Sequence, residues 1–132
     1  MAKTVLTSAA VSGFLVVALG AFGAHALKDT LSPEAMAVYK TAVQYQMFHT
    51  SVLLVIGLLM LKFPLNRTLR WSGYLMLVGM LLFSGSLYVL SWSGVRWLGV
   101  ITPFGGVLIL IGWLLLTLAT REIIAVVKKP LN

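Results

Sequence analysis

The sequence contains no cysteine, and only three of its 132 residues are acidic. The absence of cysteine excludes disulfides, thiolate nucleophiles, cysteine-ligated metals and iron–sulfur clusters. The three acids, Asp29, Glu34 and Glu122, are isolated from one another in the chain. Paired carboxylates for general acid–base chemistry are therefore missing as well. We expect a protein that is not an enzyme and has no catalytic residues.

Charged residues of both signs are scarce: they make up 10% of the chain, against roughly 25% in soluble domains. Hydrophobic residues make up 60%, and the mean hydropathy is +1.01. A soluble domain of this size could not bury so much apolar surface. A soluble enzyme, a nucleic-acid-binding module and a disordered tail are thus excluded, and the sequence predicts an integral membrane protein.

Four apolar stretches approach the roughly 20 residues that a helix needs to cross a bilayer. They cover residues 4–26, 45–63, 68–91 and 103–120. Only short connections remain between them, and no repeat or second domain is visible. We therefore predict an all-α protein in which residues 1–132 form a single transmembrane domain, a bundle of four membrane-spanning helices.

The breaks between these stretches carry helix-start signals. Ser32 followed by Pro33 is typical of an N-cap and first helical position, and Thr102 with Pro103 repeats the pair. Asn66 is placed to cap the third span. Residues 34–44 contain no helix breaker, and their polar and apolar residues alternate at helical spacing. We predict that they form an amphipathic helical extension on the outer side, before the second span.

The distribution of the ten cations predicts an orientation, because cytoplasmic loops are enriched in Lys and Arg. With four spans, both termini and the middle loop share one side and hold seven cations, while the other side holds three. The seven are Lys3, Lys62, Arg67, Arg70, Arg121, Lys128 and Lys129. We expect both termini to be cytoplasmic. The net charge of +7 then reflects membrane orientation, and no nucleic-acid partner is expected.

Polar residues within the spans collect in the outer half when depth is counted at about 1.5 Å per residue. Intramembrane polar residues are costly and mark functional sites. We therefore predict an outer-half site for a small molecule, a lipid or a membrane partner. Its candidate residues are His25, Tyr45, Gln46, His49, Ser84, Ser86, Tyr88 and Thr102.

The two histidines lie at different heights. His25 is about 30 Å from the inner surface and His49 about 18 Å, so joint ligation of a metal or haem is not expected. We expect no metal and no cofactor. We do expect His49 to point into the bundle and to form a hydrogen bond with the third span or with a water, since an unsatisfied polar group in an apolar medium costs about 2–7 kcal/mol.

Four short motifs resemble a known family. They are GAFGAHAL at 20–27, YQMFH at 45–49, LFSGSLY at 82–88 and ITPFGG at 101–106. Together, and in this order, they resemble the small bacterial membrane proteins called domain of unknown function 423, or uncharacterised protein family UPF0382. The first motif is also similar to eukaryotic transmembrane protein 256. The resemblance implies four spans and a bacterial inner-membrane location, and it implies no activity, substrate or cofactor.

Three functions remain open at this point. The leading one is a non-enzymatic membrane protein with the outer-half binding site, whose partners are membrane lipids and, in addition, a second copy or another membrane protein. The second is a metal- or haem-binding redox protein that uses His49, with Met47 as a further ligand. The third is a small oligomeric transporter or proton-conducting protein, although the cytoplasmic halves of the spans offer few polar residues to line a path.

Overall fold

The computed structural model describes residues 1–128, and these form four long helices. The helices are α1 (Ala2–His25), α2 (Pro33–Lys62), α3 (Arg67–Ser93) and α4 (Ile101–Val127), with a short 3₁₀ helix at Arg96–Val100 before α4. Each is long and apolar enough to cross a bilayer. The predicted all-α, four-helix membrane fold is confirmed. Lys129, one of the cations counted for the orientation, lies outside the described residues.

The start of α2 follows the predicted pattern. The Ser32 hydroxyl accepts a hydrogen bond from the backbone N–H of Ala35 at 3.1 Å, and Pro33 is the first helical residue. Hydrogen bonds from its own backbone N–H and from the Ser32 hydroxyl lower the pKa of the exposed Glu34 carboxyl. A carboxylate there also stabilises the helix N-terminus.

The predicted cap of α3 is also present: Asn66 Oδ1 accepts from the backbone N–H of Leu69 at 2.7 Å. The amide of Asn66 and the hydroxyl of Thr68 both donate to Glu122 at 2.9 Å, which ties the start of α3 to the end of α4. At its other end, α3 stops at Gly94, whose φ of +66° lies in the left-handed region that favours glycine.

The start of α4 differs from the prediction. Thr102 is not an N-cap, because the helix begins one residue earlier, at Ile101, directly after the 3₁₀ helix Arg96–Val100. That preceding turn continues into the first turn of α4, so a side-chain cap is not needed. The Thr102 hydroxyl is left free to contact α3.

The predicted amphipathic extension forms the first three turns of α2, which runs as one helix of 30 residues. Tyr39, near the middle of the extension, is only 1% exposed. Its ring lies against Gly23, where a Cβ atom would overlap it, and its hydroxyl donates to the carbonyl of Leu19 at 2.7 Å. The apolar side of the extension therefore packs on α1 and is not free to lie on the membrane surface.

The helices pack mainly on their neighbours in sequence: α1 on α2, α2 on α3 and α3 on α4. The α3–α4 contact is the closest, and glycines allow it. A Cβ atom on Gly105 would lie 2.5 Å from the backbone nitrogen of Phe83, and one on Gly79 would lie 2.8 Å from that of Ile109. Small residues allow such backbone approach in lipid. By contrast, α1 meets α3 over a small area, which leaves a groove between them.

A single apolar cluster fills the half of the bundle where α1 and α3 begin and α2 and α4 end, called here the N-terminal end. Its buried members are Val5, Ala9, Leu53, Ile56, Met60, Leu69, Met76, Leu77, Met80 and Ala119. One buried polar side chain in this half, Ser72, donates to the Gly112 carbonyl at 2.8 Å. The polar groups of the candidate site lie nearer the other end.

Candidate functional site

A hydrogen-bonded network joins α1, α2 and α3 through the buried side chain of Gln46. Its Nε2 donates to the carbonyl and hydroxyl oxygens of Ser12 at 3.3 and 3.2 Å. Its Oε1 accepts from the Tyr88 hydroxyl at 2.7 Å. The Ser12 and Thr50 hydroxyls share a further hydrogen bond of 2.7 Å. We call Ser12, Gln46, Thr50 and Tyr88 the Gln46 network; its members satisfy one another away from water.

Two members of this network, Ser12 and Thr50, were not among the predicted site residues. Ser12 lies about 15 Å from the start of α1 and Thr50 about 18 Å from the end of α2, at about 1.5 Å per residue. Both therefore lie near the middle of the bundle, whereas the predicted site lay toward one end. A signal was present: Gln46 and Thr50 are four residues apart, so they share one face of α2.

Two adjoining cavities follow the groove between α1 and α3, and we refer to them as the α1–α3 groove. Their volumes are about 170 and 250 Å³, and Leu15, Gln46, Met80 and Leu81 line both. The first is also lined by Ser84 and by Tyr88 of the network. Ser84 is 3% exposed, and within residues 1–128 its hydroxyl has no hydrogen-bond partner. The groove thus combines apolar walls with a buried polar atom that is unsatisfied within the described residues.

An aromatic group closes the network on the side away from the N-terminal end. The Tyr88 ring meets that of Tyr39 edge-on, with 5.2 Å between centroids. Tyr39 in turn stacks on Trp92 at 6.4 Å, and Phe22 meets Trp92 edge-on at 6.3 Å. These rings come from three helices and shield the hydroxyl of Tyr88 from the membrane surface.

His49 is buried and uses both ring nitrogens. Its Nδ1 lies 2.8 Å from the Tyr45 carbonyl, and its Nε2 lies 3.4 Å from Nε1 of Trp113. An indole nitrogen can only donate, so Nε2 accepts and Nδ1 carries the proton. The ring points inward as predicted. Its partner on another helix is on α4, however, and not on the third span, because the large Trp113 side chain reaches across to α2.

Of the remaining candidates, Tyr45 lies beside this histidine, with 5.9 Å between the two ring centroids, and the others lie apart from it. Ser86 and Thr102 share a hydrogen bond of 2.8 Å that links α3 to the start of α4. The Tyr45 ring is 40% exposed and stacks on Phe83 with 4.2 Å between centroids. His25 ends α1 with an exposed side chain.

The eight predicted residues therefore fall into three groups and one outlying residue. These are Gln46, Ser84 and Tyr88 at the α1–α3 groove; Tyr45 and His49; Ser86 and Thr102; and His25. Only the first group lines one of the cavities described above. It is the group on which we base a function.

The side chains around His49 do not form a ready set of metal ligands. Within residues 1–128, no three His, Cys, Asp or Glu side chains come together. A metal at His49 would have to displace either the Trp113 N–H or the Tyr45 carbonyl. Met47 is badly placed to bind the same metal, because its side chain is 56% exposed on the outside of the bundle, whereas His49 is buried.

Comparison with known proteins identifies relatives along nearly the whole chain. Residues 19–106 match the family model described as protein of unknown function (DUF423). A UPF0382 membrane protein of Staphylococcus epidermidis is 47% identical over 91% of this chain and 97% of its own. The UPF0382 inner membrane protein YgdD of Escherichia coli is 42% identical over 86% of each chain. YwdK of Bacillus subtilis is 40% identical over 89% and 95%.

No solved structure matches the chain. The relatives are named as membrane proteins, in agreement with the four apolar helices, and their names state no activity. The likeness to eukaryotic transmembrane protein 256 stays a prediction. On the family match and the identities above, the chain belongs to the DUF423 (UPF0382) family of membrane proteins of unknown function.

Proposed function

We propose that the protein is a non-enzymatic protein of the bacterial inner membrane that binds an uncharged lipid or lipid-like molecule in the α1–α3 groove. The observation that carries the proposal is the Ser84 hydroxyl, which is buried in the groove wall with no hydrogen-bond partner among residues 1–128. A buried polar group of this kind costs free energy until something bonds to it. A hydroxyl or carbonyl group of a ligand would satisfy it.

The groove lining favours an uncharged ligand. None of the side chains that line its two cavities is ionised at neutral pH. A charged head group would therefore lose its hydration without gaining a counter-charge. Beside Ser84, the hydroxyl of Tyr88 and the amide of Gln46 are already bonded to each other. Ser84 is thus the buried polar group of the first cavity that is left for a ligand.

The walls favour a ligand with an acyl or other apolar chain that enters from the bilayer. Leu15 of α1 is 44% exposed and Leu81 of α3 is 61% exposed, and both line the groove. Their exposure opens the groove sideways to lipid. Ligand sites of this kind are concave, mostly apolar and supplied with a few polar groups.

The polar side chains extend through only part of the bundle, which favours ligand binding over the conduction of ions or protons. Toward the N-terminal end, the Gln46 network ends at Thr50 and Ser12. Their hydroxyls bond to each other and contact the sulfur of Met80. Past that point the interior is the apolar cluster that includes Leu53 and Ile56, and the buried Ser72 there is bonded to the Gly112 carbonyl. A path for ions or protons through one chain would need polar groups in that half.

We also propose that both termini are cytoplasmic, on the distribution of cations between the two ends of the bundle. This places the Ser84 end of the groove in the outer half of the membrane. Fusions of alkaline phosphatase and of green fluorescent protein to the C-terminus test the orientation. We expect fluorescence without phosphatase activity, and the reverse pattern would overturn it.

The ligand site is tested with a photoactivatable lipid. Cells expressing the protein are given a diazirine-bearing monoacylglycerol, which has hydroxyl groups and one acyl chain, and cross-linked peptides are identified by mass spectrometry. We expect cross-links at groove residues such as Leu15 and Leu81. Replacing Ser84→Leu should fill the groove and reduce cross-linking at least tenfold.

The matched control is Ser51→Leu, the same replacement on α2 at an exposed serine that bonds only to the Met47 carbonyl of its own helix. It should leave cross-linking unchanged. Equal labelling of the wild type and Ser84→Leu, or equal losses in the two variants, would contradict the proposed site. The helix content of both variants is checked by circular dichroism.

A further inference from the structure

A second pair of cavities lies at the N-terminal end of the bundle, away from the groove. Their volumes are about 390 and 510 Å³. Lys3 lines the first, Arg67 lines the second, and Arg70 lines both. We call these three cations, with Trp71 and Tyr74 of the second cavity, the basic cleft. It brings together cations from two helices, α1 and α3.

The three cations of the basic cleft outnumber the acidic side chains near them, of which there is one. Of the three acids in the chain, Asp29 and Glu34 lie at the opposite end of the bundle, between α1 and the first turn of α2. Glu122 lies at this end, where its two oxygens accept from Asn66 and Thr68, the residues on either side of Arg67, so its single negative charge offsets only part of the three positive charges. The cleft therefore holds an excess of positive charge that fits an anion.

The spacing of the two arginines lets both side chains reach the same ligand. Arg67 and Arg70 are three residues apart in the first turn of α3, so their side chains share a face of the helix. Guanidinium groups bind phosphate oxygens in a bidentate manner. The helix N-terminus adds a partial positive charge at the same place, because its first N–H groups lack helical partners.

The aromatic residues place the cleft at the level of lipid head groups. Trp71 is 61% exposed, directly after Arg70, and Tyr74 is half-buried one turn further along α3. Trp and Tyr are enriched at the interface between membrane and water. Below them the exposed surface of α3 is apolar, as acyl chains require.

We propose that the basic cleft binds the phosphate of an anionic phospholipid, with Arg67 and Arg70 on the phosphate oxygens and Lys3 as a further cation. The acyl chains lie along α3 past Trp71 and Tyr74. This site is separate from the α1–α3 groove in place and in ligand, since the groove takes an uncharged molecule and the cleft an anion.

The test is native mass spectrometry of the full-length protein in a neutral detergent, titrated with phosphatidylglycerol or with phosphatidylcholine. We expect phosphatidylglycerol to bind at least tenfold more tightly. In Arg67→Gln/Arg70→Gln the affinity for phosphatidylglycerol should fall about 25-fold, from about fivefold for each cation near the membrane surface. Phosphatidylcholine binding should not change.

The matched control is Lys28→Gln/Arg96→Gln, which removes the same charge from two exposed cations at the opposite end. It should leave the preference for phosphatidylglycerol intact. If the double arginine variant does not fold, the single variant Arg67→Gln, at an exposed position, should lower the affinity about fivefold.

A competition experiment distinguishes a lipid phosphate from free inorganic phosphate as the ligand. Ten millimolar inorganic phosphate should not displace phosphatidylglycerol, because it lacks the acyl chains that contact α3. Displacement by phosphate alone would assign the cleft to a soluble anion and overturn the lipid proposal. Equal affinities for the two lipids, or equal losses in the arginine and control variants, would overturn it as well.

Discussion

The hydrogen bond from Tyr88 to Gln46 lets the contribution of the polar network to stability be measured. The changes are Gln46→Leu, Tyr88→Phe and the two together, which form a double-mutant cycle. Leu is close to Gln in volume and Phe differs from Tyr by one hydroxyl, so the changes remove hydrogen bonds with little change in packing.

The expected losses follow from the contacts. Gln46 makes three, two to Ser12 and one from Tyr88. Interhelical hydrogen bonds in membrane proteins average about 0.6 kcal/mol and reach about 1.7 kcal/mol. Gln46→Leu should therefore lower the free energy of unfolding by about 2 kcal/mol, and Tyr88→Phe by about 1 kcal/mol. Ser12 keeps its hydrogen bond to Thr50 in both cases.

The double variant should lose less than the sum of the two single variants. Each single change leaves the other partner buried without a bond, and the double change removes both partners. We expect a coupling energy of about 1 kcal/mol for the 2.7 Å contact. Additive losses, to within about 0.3 kcal/mol, would show that Tyr88 and Gln46 do not interact and would refute the network.

The assay is unfolding in mixed micelles with increasing dodecyl sulfate, followed by circular dichroism. Tyr45→Phe is the control for loss of a tyrosine hydroxyl, since the Tyr45 ring is 40% exposed and lies outside the network. It should change the free energy of unfolding by less than about 0.5 kcal/mol, as surface changes do.

Three further predictions concern helix contacts. Gly105→Ala should destabilise the bundle by roughly 1–3 kcal/mol, because its Cβ atom would meet a backbone atom of α3. Gly85 faces open space, so Gly85→Ala should be neutral or stabilising in the same unfolding assay. Nitrogen-15 NMR should show His49 protonated at Nδ1, and Trp113→Phe should leave the proton there, because the Tyr45 carbonyl can only accept. An Nε2–H ring in the wild type would contradict the assigned hydrogen bonds. Asn66→Ala should lower the free energy of unfolding by about 1 kcal/mol, because the α3 cap is lost. Asn66→Asp keeps the cap but places a second carboxylate beside Glu122, so its loss of stability should be smaller at low pH than at neutral pH.

The helix starts at Ser32 and Asn66 could be predicted from the sequence because the side chain and the N–H that it caps are three residues apart. Thr102 has the same local pattern, but the 3₁₀ helix before it continues directly into α4. Its hydroxyl bonds to Ser86 instead. Local chemistry thus identified caps except where a preceding turn made the cap unnecessary.

The candidate site was harder to predict, because counting residues gives the height of a side chain but not the direction in which its helix is rotated. Height placed His49 level with the serines of the third span, yet the rotation of α2 turns it toward Trp113. Ser12 was missed for a related reason: a lone serine in a transmembrane helix often bonds to its own backbone. Only the packed structure shows that it accepts from Gln46.

The sequential packing of the helices has a consequence for how the chain is made. From the second helix on, each helix that enters the membrane finds the preceding helix, on which it packs, already there: α2 packs on α1, α3 on α2, and α4 on α3. The bundle can therefore assemble in the order of synthesis, with contacts that are short-range in the chain, as in fast-folding proteins. The small contact of α1 with α3 is the main one between helices that are not consecutive in the chain. The Gln46 network needs Tyr88 of α3, so it is complete only after the third helix has entered the membrane. Until then, the hydrogen bonds of Ser12 with Gln46 and Thr50, and of Tyr39 with Leu19, join the first two helices.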